Sequence, residues 1–299
     1  MLQTCLESLA GQTEPDFEII VVDNGSHDGS ADFVHTRWPG VRLLALTHNR
    51  GFSGGVNVGL HLARGEYLVL LNNDAIAAPD CIASLVAPLR ADRSLGAAAG
   101  VMTFAHQPSL VASAGIRLHR DGVALDDRML QAVADLPLAP TPVWGASGGA
   151  VAYRRAALAD VGIFDEGYFA YLEDVDLAWR LRLRGWETLL SPAAQVQHIY
   201  SATGGEGSPL KDWLVARNRW RVIGFATIIV LVQFVMNVIG QIWEAVGFLR
   251  PLSIFYYYQP QQPGLNNKWA VSLEQLGPLD PGFPIPVLLV LLPIGAIGY

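Results

Sequence analysis

The stretch that most constrains the fold is residues 66–74, EYLVLLNND. A near-continuous apolar run with Gly65 before it and a polar turn after it is typical of a parallel strand covered on both faces. Ligands of open α/β sheets bind just beyond the carboxyl ends of such strands. Asp74 is therefore well placed to hold a divalent cation against a phosphate. Asn-Asn-Asp is also a good turn sequence, so this stretch alone leaves both interpretations open.

Around this strand the hydrophobic pattern alternates between periods of two and 3.6 residues. The alternation predicts an α/β domain with a parallel, doubly wound sheet. Residues 120–142 show no clear period and contain three prolines, which favours a long surface loop over a substrate. The predicted strands are 17–22, 41–46, 67–71, 97–104 and 110–118, with extended segments at 187–190 and 194–198. The predicted helices are 1–11, 30–37, 56–64, 79–90 and 173–184.

Composition points to membrane contact in the last quarter of the chain. Hydrophobic residues make up 51% and charged residues only 16%, which is more apolar than usual for a soluble enzyme. The excess lies in two uncharged runs, 224–243 and 283–299, predicted as membrane spans. The chain then divides into a domain at 1–221 and a membrane-associated tail at 222–299. Arginines directly before the first run place the large domain on the cytoplasmic side.

Several classes of protein are disfavoured. A net charge of −7 gives no electrostatic case for nucleic-acid binding. Cys5 and Cys81 have neither metal-ligand spacing nor a disulfide framework, which is typical of a reducing compartment. The glycine-rich segments match neither a Walker A loop nor the dinucleotide pattern. Ser147 in GASGGA does not match a nucleophile elbow, so hydrolase chemistry is set aside.

Two segments have the features of a nucleotide site. Asp23 ends a strand in VVDNGSHDGS, where a carboxylate can accept hydrogen bonds from a nucleobase or a ribose. An Asx-turn is the equally good alternative. The segment HNRGFSGGVNVG carries Asn49, Gly51 and Asn57 and leads into a helix, so backbone N–H groups can approach a nucleotide there. Its alternative is a plain strand-to-helix connection.

Acidic residues and one histidine are candidates for catalysis and metal binding. Glu173 and Asp174 open a predicted helix, where acids are common simply because they oppose the helix dipole. Here they follow an aromatic-rich segment, which favours a cleft and a carboxylate acting as a general base. His198 in VQHIYS can ligate a metal as neutral imidazole, although a lone histidine is more often structural.

Seven strings occur in this order along residues 1–221: EIIVVDNGSHDGS, NRGFSGGVNVGL, GEYLVLLNND, GASGGAVAYRRAAL, GIFDEGYFAYLEDVDLAWRLRLRGW, QHIYSAT and ARNRW. Taken together, they resemble family 2 glycosyltransferases of the rhamnosyl- or galactofuranosyltransferase type. The resemblance implies a nucleotide-diphospho-sugar transferase fold (GT-A, Rossmann-like) and transfer with inversion from a UDP- or dTDP-sugar. The implied acceptor is a hydroxyl of a saccharide or a lipid-linked saccharide in cell-envelope polysaccharide synthesis.

The resemblance also implies roles for individual residues. Asp74 and His198 would bind Mg²⁺ or Mn²⁺, and Asp174 would be the catalytic base with Glu173 beside it; which of the two takes the proton stays open. The implied nucleotide-sugar residues are Asp23, Asn49, Gly51, Asn57 and Asn73, and the implied acceptor-side residues are Trp144, Gly148 and Gly149.

Two departures from the family affect expectations. Family members begin with an apolar strand between those at 17–22 and 67–71, and this chain starts after it. We therefore expect the domain to lack its first strand and the chain to be poorly soluble or inactive. The tail segment FLRPLSIFYYYQPQ faintly resembles an ABC-2-type transporter permease. The expected location is the inner membrane, with the catalytic domain in the cytoplasm.

Two other functional classes stay open at this point. One is a nucleotidyltransferase or retaining transferase, which shares strand-end acids and metal use. The other is a non-catalytic or fused membrane transport component with a degenerate transferase domain. Product stereochemistry separates the first from an inverting transferase, and metal-dependent nucleotide-sugar binding argues against the second.

Overall fold

A computed structural model describes residues 1–119, 123–198 and 208–242. Its helices are α1 Leu2–Ala10, α2 Ser30–Arg37, α3 Gly51–Leu62, α4 Cys81–Ala91, α5 Arg155–Val161, α6 Glu173–Leu183 and α7 Pro209–Ile242. Its strands are β1 Ile20–Asp23, β2 Arg42–Ala45, β3 Tyr67–Leu71, β4 Ala75–Ala77, β5 Leu95–Phe104, β6 Gln107–Ser113, β7 Ile116–Leu118, β8 Ala124–Asp126, β9 Thr141–Pro142, β10 Ala150–Arg154 and β11 Glu187–His198.

The strands form one large sheet and two small ones. The seven-stranded sheet has the central order β3-β10-β5-β11-β4, with β6 added to β5 and β9 added to β11. Strands β1 and β2 form a parallel pair, and β7 and β8 form an antiparallel hairpin. The α/β class is therefore confirmed.

The prediction of a parallel sheet is wrong, because the large sheet is mixed. Strand β10 runs antiparallel to both β3 and β5, and β4 runs antiparallel to β11. Only the β5–β11 ladder of the central order is parallel. Burial on both faces produces the same continuous apolar run in either direction, so the sequence pattern did not report strand orientation.

Two apolar clusters cover the faces of the large sheet. Along β10, Val151 and Tyr153 belong to the cluster packed against α5 and α6, and Ala152 belongs to the cluster packed against α4. Strand β5 alternates in the same way, with Val101 on the first face and Met102 on the second. Because successive side chains of a strand point to opposite faces, these strands are buried at every position.

The sequence predicts a missing strand between β1 and β3, and in the structure these two strands belong to separate ladders. Strand β1 pairs with β2 and β3 pairs with β10, and among the described residues no ladder joins β1 to β3. One edge of each strand is therefore without a backbone partner in the described part of the chain. The absence of a first strand from the whole protein stays a prediction.

Several boundaries differ from the sequence-based expectations. Helix α3 begins at Gly51 rather than at residue 56, because Gly51 adopts the left-handed φ of +73° and turns the chain directly into the helix. Residues 187–198 form one strand with an irregularity between Leu190 and Gln195. The 120–142 segment, predicted as a loop, contains β8 and β9. Strands β4 and β10 and helix α5 were not predicted.

The chain divides into two compact units. The first consists of Met1–His119 and Val123–Val222, and the second of Arg120–Gly122 and Ile223–Tyr299. Helix α7 is continuous from Pro209 to Ile242. The predicted domains 1–221 and 222–299 stay a prediction.

Neither predicted membrane span is confirmed. Among the helices that the structure describes, none is both long and apolar enough to cross a bilayer. The run predicted as a span at 224–243 falls largely on the second half of α7. The span predicted at 283–299 and the permease-like segment lie outside the described residues.

A buried arginine joins β10 to the end of α4. The Arg154 guanidinium donates from Nε to the Leu95 carbonyl at 2.9 Å and from Nη2 to the carbonyls of Asp92 (2.9 Å) and Leu89. The side chain is only 6% exposed. The last carbonyls of a helix have no partner within the helix, so Arg154 supplies donors that the end of α4 needs.

We expect Arg154→Leu to lower the free energy of unfolding by about 3 kcal/mol, because it leaves buried carbonyls without donors. Urea denaturation measures this loss. The control is Arg93→Leu at an exposed neighbouring position, where the change should stay within about 0.5 kcal/mol. Equal effects of the two substitutions would contradict the capping role.

Candidate functional site

Asp74 and His198 lie side by side at the end of the large sheet. Asp74 directly precedes β4, and His198 ends β11, which pairs with β4 so that His198 is opposite Ala75. His198 Nε2 is 3.1 Å from Asp74 Oδ1 and 3.0 Å from Asn72 Nδ2. Both side chains are almost buried, at 12% and 8% exposure. The antiparallel ladder thus joins two residues that are 124 positions apart in the chain.

This pair suits a divalent cation that has other ligands as well. Carboxylate oxygen and imidazole nitrogen are accepted by Mn²⁺, and carboxylate oxygen is preferred by Mg²⁺. In the described ranges, no group of three or more His, Cys, Asp or Glu residues is arranged to hold a metal. Mg²⁺ usually takes only one or two carboxylates and completes its coordination with phosphate oxygens and water. The pair fits that mode of binding.

Glu173 is buried and Asp174 is half-buried at the start of α6. The Asp174 carboxylate accepts hydrogen bonds from the Gly148 N–H at 3.1 Å and from the Val175 N–H at 2.8 Å. The Glu173 side chain is 6% exposed, and its Oε2 has no hydrogen-bond partner among the described residues. Burial raises the pKa of both carboxyl groups, and the charge of Asp174 raises the pKa of Glu173 further.

The different hydrogen bonds determine which carboxyl group is ionised. Two backbone N–H donors stabilise a negative charge on Asp174, while Glu173 Oε2 receives no such donor from the described residues. Hydrogen bonds to the charged form lower the free energy of that form. A single negative charge shared by the pair therefore resides on Asp174, and Glu173 holds the proton.

Gly148 and Gly149 lie between the Glu173–Asp174 pair and the Asp74–His198 pair. Gly148 donates to Asp174, and the Gly149 carbonyl accepts from the Asn72 N–H at 3.2 Å. A Cβ atom at Gly149 would lie 2.7 Å from the sulfur of Met102, so the backbone approaches its neighbours too closely for a side chain. These glycines, predicted on the acceptor side, thus lie between Asp174 and the Asp74–His198 pair.

The 49–51 segment is held by asparagine side chains. Asn24 Nδ2 donates to the Gly51 carbonyl at 2.8 Å, and Asn24 Oδ1 accepts from the Arg50 N–H at 2.9 Å. Asn49 Oδ1 accepts from the Gly51 N–H at 2.8 Å. These bonds set the chain path into α3, and Asn24 was not among the predicted site residues.

Gly51 and Asn57 join this segment to the loop before α6. A Cβ at Gly51 would lie 2.4 Å from the Phe169 carbonyl oxygen. Asn57 is buried, and it donates to the Phe164 carbonyl at 2.8 Å and accepts from the Phe164 N–H at 3.2 Å. The Asn57 amide therefore links α3 to the 164–169 segment.

The remaining predicted residues lie in three different surroundings. Asp23 Oδ1 accepts from the Ser26 N–H at 2.8 Å, so the Asx-turn alternative is present in the β1–β2 sheet. Asn73 is exposed beside Asp74. Trp144 packs edge-to-face on Trp179 of α6, with ring centroids 5.2 Å apart. The contacts described above join Asp74 and Asp174 through Gly148 and Gly149, whereas Asp23 belongs to the separate β1–β2 sheet.

Asp126 is a further acid of the site that sequence reasoning missed. It ends β8. Burial raises the pKa of Asp126, and its charge in turn raises the pKa of Asp174. The segment had been predicted as a loop covering a substrate, and no motif within it distinguishes Asp126 from its neighbour Asp127.

The comparison with family models agrees with this geometry. The model described as glycosyl transferase family 2 matches residues 1–162, which is more than half of the chain. The chain belongs to glycosyl transferase family 2. This membership confirms the sequence-based prediction of an inverting glycosyltransferase enzyme that uses a nucleotide-sugar donor.

Two family 2 relatives differ in how much of them the chain covers. The chain is 32% identical over 219 residues to N-acetylglucosaminyl-diphospho-decaprenol L-rhamnosyltransferase of Mycobacterium tuberculosis, covering 66% of this chain and 71% of the relative. It is 24% identical over 195 residues to poly-beta-1,6-N-acetyl-D-glucosamine synthase of Staphylococcus epidermidis, covering 64% of this chain and 45% of that synthase. The permease-like tail finds no support in these comparisons.

A solved structure supports the GT-A fold. GalNAc-T7, crystallised with UDP, GalNAc and Mn²⁺, superimposes with a TM-score of 0.60 at 19% identity. The match covers 73% of this chain and 44% of that chain. At this identity the likeness shows the fold alone, and the GT-A prediction is confirmed.

We expect Glu173→Gln to change how stability depends on pH. The raised pKa of Glu173 means that the unfolded chain ionises first as the pH rises above about 4.5, while the folded chain keeps its proton. The wild type therefore loses stability as the pH rises through the raised pKa, and the variant avoids this loss. Denaturant unfolding at pH 5 and pH 8 should show the variant gaining more than about 1.4 kcal/mol at the higher pH.

The control for this measurement is Glu187→Gln at an exposed position on β11. Its stability difference from the wild type should be the same at both pH values. A Glu173→Gln difference that also stays constant would show that Glu173 is ionised in the folded chain.

Proposed function

We propose that the protein transfers a sugar from a UDP- or dTDP-sugar to a hydroxyl of a lipid-linked saccharide in cell-envelope polysaccharide synthesis. The observation that carries this proposal is the half-buried Asp174 carboxylate, which accepts from the Gly148 N–H, while the adjacent Gly149 contacts Asn72 beside the Asp74–His198 pair. An inverting transfer needs one base facing the acceptor hydroxyl and one charge-neutralising site for the diphosphate. The two pairs supply both within one site.

Asp174 is the proposed catalytic base. Desolvation raises its pKa above that of an exposed aspartate, so it is a stronger base, and the hydrogen bonds from the Gly148 and Val175 N–H groups favour its ionised form. A base with a pKa near the working pH is the most effective in proton transfer. Glu173, which holds the proton, keeps a second negative charge away from the acceptor. We therefore propose that Asp174, and not Glu173, takes the proton from the hydroxyl.

Asp74 and His198 are the proposed ligands of Mg²⁺ or Mn²⁺. A bound divalent cation stabilises the charge that develops on the departing nucleoside diphosphate. Asn72 and Asn73 precede Asp74 without adding charge, so Asp74 is the one carboxylate of this segment. The Mn²⁺ and UDP in the GalNAc-T7 structure support this assignment by analogy of fold.

The lipid-linked acceptor is proposed from the rhamnosyltransferase relative of Mycobacterium tuberculosis. The name of the Mycobacterium tuberculosis enzyme gives a diphospho-decaprenol carrier as part of its substrate. On this chain, Gly148, Gly149 and Trp144 would border the acceptor, with Asp126 as a further carboxylate close to Asp174. A carboxylate at that position can accept hydrogen bonds from sugar hydroxyls.

We place the protein at the cytoplasmic face of the inner membrane. Leu210, Trp213 and Trp220 lie on one side of α7 and are 60%, 57% and 76% exposed. Tryptophan is enriched at membrane interfaces because its ring is apolar and its N–H is polar. Arg219 is exposed on the same helix, and arginines near a membrane surface are attracted to anionic lipids.

Nucleotide binding and sugar transfer test the proposed chemistry separately. We expect UDP or dTDP with Mn²⁺ to raise the Tm of the wild type, because a ligand bound only to the folded state stabilises it. Asp74→Asn should lose the Mn²⁺-dependent part of this rise. Asp174→Asn should keep the rise but lose transfer by roughly 10²- to 10⁴-fold, the contribution of a general base.

The matched control is Asp16→Asn at an exposed position, which should change neither measurement. Transfer is assayed with UDP- and dTDP-sugars and a polyprenyl-diphosphate-linked N-acetylglucosamine acceptor. Full transfer by Asp174→Asn would rule out Asp174 as the base. A product with retained stereochemistry would rule out the inverting mechanism.

Vesicle flotation tests the membrane proposal. We expect the full chain to bind vesicles that contain phosphatidylglycerol, and the double substitution Trp213→Ala, Trp220→Ala to weaken this binding about tenfold or more, since both rings lose interfacial contact. The control is Leu138→Ala, a fully exposed apolar residue in another part of the structure. Equal binding by all three proteins would contradict a role for this face of α7.

A further inference from the structure

The loop before α6 has an unusual backbone. Phe169, Tyr171 and Leu172 have φ values of 66°, 68° and 68°, in the left-handed region that favours glycine. Such a backbone conformation is strained for a residue with a side chain and persists only where neighbouring contacts hold it. Leu172 is the residue from which α6 begins, so this strained segment leads directly to Glu173 and Asp174.

A buried asparagine of α7 holds this loop. Asn218 has no solvent exposure, and its Nδ2 lies 3.0, 2.8 and 2.7 Å from the carbonyl oxygens of Tyr168, Ala170 and Tyr171. Tyr171 is one of the left-handed residues, and Tyr168 and Ala170 flank Phe169, which is another. The two hydrogens of the Asn218 amide are shared among the three carbonyl oxygens and supply donors to these backbone acceptors.

An arginine sets the orientation of the Asn218 amide. Arg217 Nε donates to Asn218 Oδ1 at 3.0 Å, so the oxygen faces the guanidinium and the nitrogen faces the loop. Arg217 Nη2 also contacts the Gly167 carbonyl at 3.2 Å. Aspartate has nearly the same shape as asparagine but presents oxygen where three carbonyl oxygens converge. The site therefore requires a side chain that donates.

The loop in turn forms backbone hydrogen bonds with the starts of α3 and α6. The Phe169 carbonyl accepts from the Ser53 N–H at 3.1 Å, next to Gly51 at the start of α3. The Leu172 carbonyl accepts from the Asp176 N–H at 3.1 Å, which forms the first turn of α6. Because Asp174 lies in that turn, its direction depends on the backbone of the loop.

We propose that Asn218 is a positioning residue for sugar transfer, which holds the 168–172 loop so that Asp174 faces the acceptor. The proposal rests on the proposed role of Asp174 as the base. In the contacts described above, Asn218 touches neither the Glu173–Asp174 pair nor the Asp74–His198 pair. It acts through the loop backbone, and a displacement of about 1 Å of a catalytic group can reduce a rate by about 100-fold.

Three variants of the full chain test the proposal. Asn218→Asp keeps the shape of the side chain and its contact with Arg217 but removes the amide N–H donors. Asn218→Gln keeps an amide N–H donor. Ala216→Ser is the control, at an exposed position on the same helix. Hydrogen exchange should rise about tenfold or more across 168–174 and at the Ser53 amide in Asn218→Asp. It should stay unchanged in β5 and in the control, and Asn218→Gln should restore part of the protection.

Transfer rates show whether the loop acts through the base. In the wild-type background, Asn218→Asp should reduce kcat by about 100-fold. In the Asp174→Asn background it should have almost no further effect, because the group that it positions is already lost. If the reductions in kcat multiply in the double variant, the proposal is overturned. Unchanged hydrogen exchange across 168–174 in Asn218→Asp would also overturn it.

The two measurements separate this proposal from the proposed function. If the wild type transfers no sugar, the proposed function fails, and the hydrogen exchange still shows whether Asn218 holds the loop. If the wild type is active and Asn218→Asp keeps its full rate although the loop exchanges faster, the positioning role fails while sugar transfer stands.

Discussion

The site depends on the position of β10 between β3 and β5. Because β10 runs antiparallel to β3, the residues just before it, Gly148 and Gly149, lie beside the residues just after β3. The Gly149 carbonyl therefore accepts from the Asn72 N–H next to the Asp74–His198 pair, and the Gly148 N–H donates to Asp174. Without this strand order the acids at the ends of β3 and at the start of α6 would have no common neighbour.

Burial gives the acids their chemical properties. Removing two adjacent carboxyl groups from water raises the pKa of both, and the hydrogen bonds from Gly148 and Val175 decide that the charge lies on Asp174. The Asp74 carboxylate is also largely buried, and it lies 3.1 Å from His198 Nε2. Such sites lower the stability of the fold, because a buried charge loses its hydration. The large sheet, with two apolar faces, provides the stability that they require.

Helix α7 connects the site to the outside of the first unit. Its buried side carries Asn218, which holds the strained loop before α6, and its exposed side carries Trp213 and Trp220. In the proposed arrangement, one helix contacts lipid with one side and orients the base with the other. A transferase that acts on a lipid-linked acceptor would then have its base aligned by the element that meets the membrane.

The amino-acid sequence by itself determined the α/β class, the strand at 67–71 and the position of Asp74 after it. It also determined the family, because each string is a local pattern that needs no knowledge of distant contacts. The charged residues of α6 and the glycines at 148 and 149 were recognised for the same reason. These features depend on neighbours in the chain.

Only the tertiary structure decided which residues meet. Strand direction in the large sheet, the hydrogen bond from Gly148 to Asp174 and the proximity of Asp126 involve residues far apart in sequence. The role of Asn218 depends on carbonyl groups that are 47 to 50 residues away. Burial produces the same apolar pattern in parallel and antiparallel strands. The sequence also does not show which backbone groups an asparagine side chain will contact. Those outcomes follow from packing, which no local pattern records.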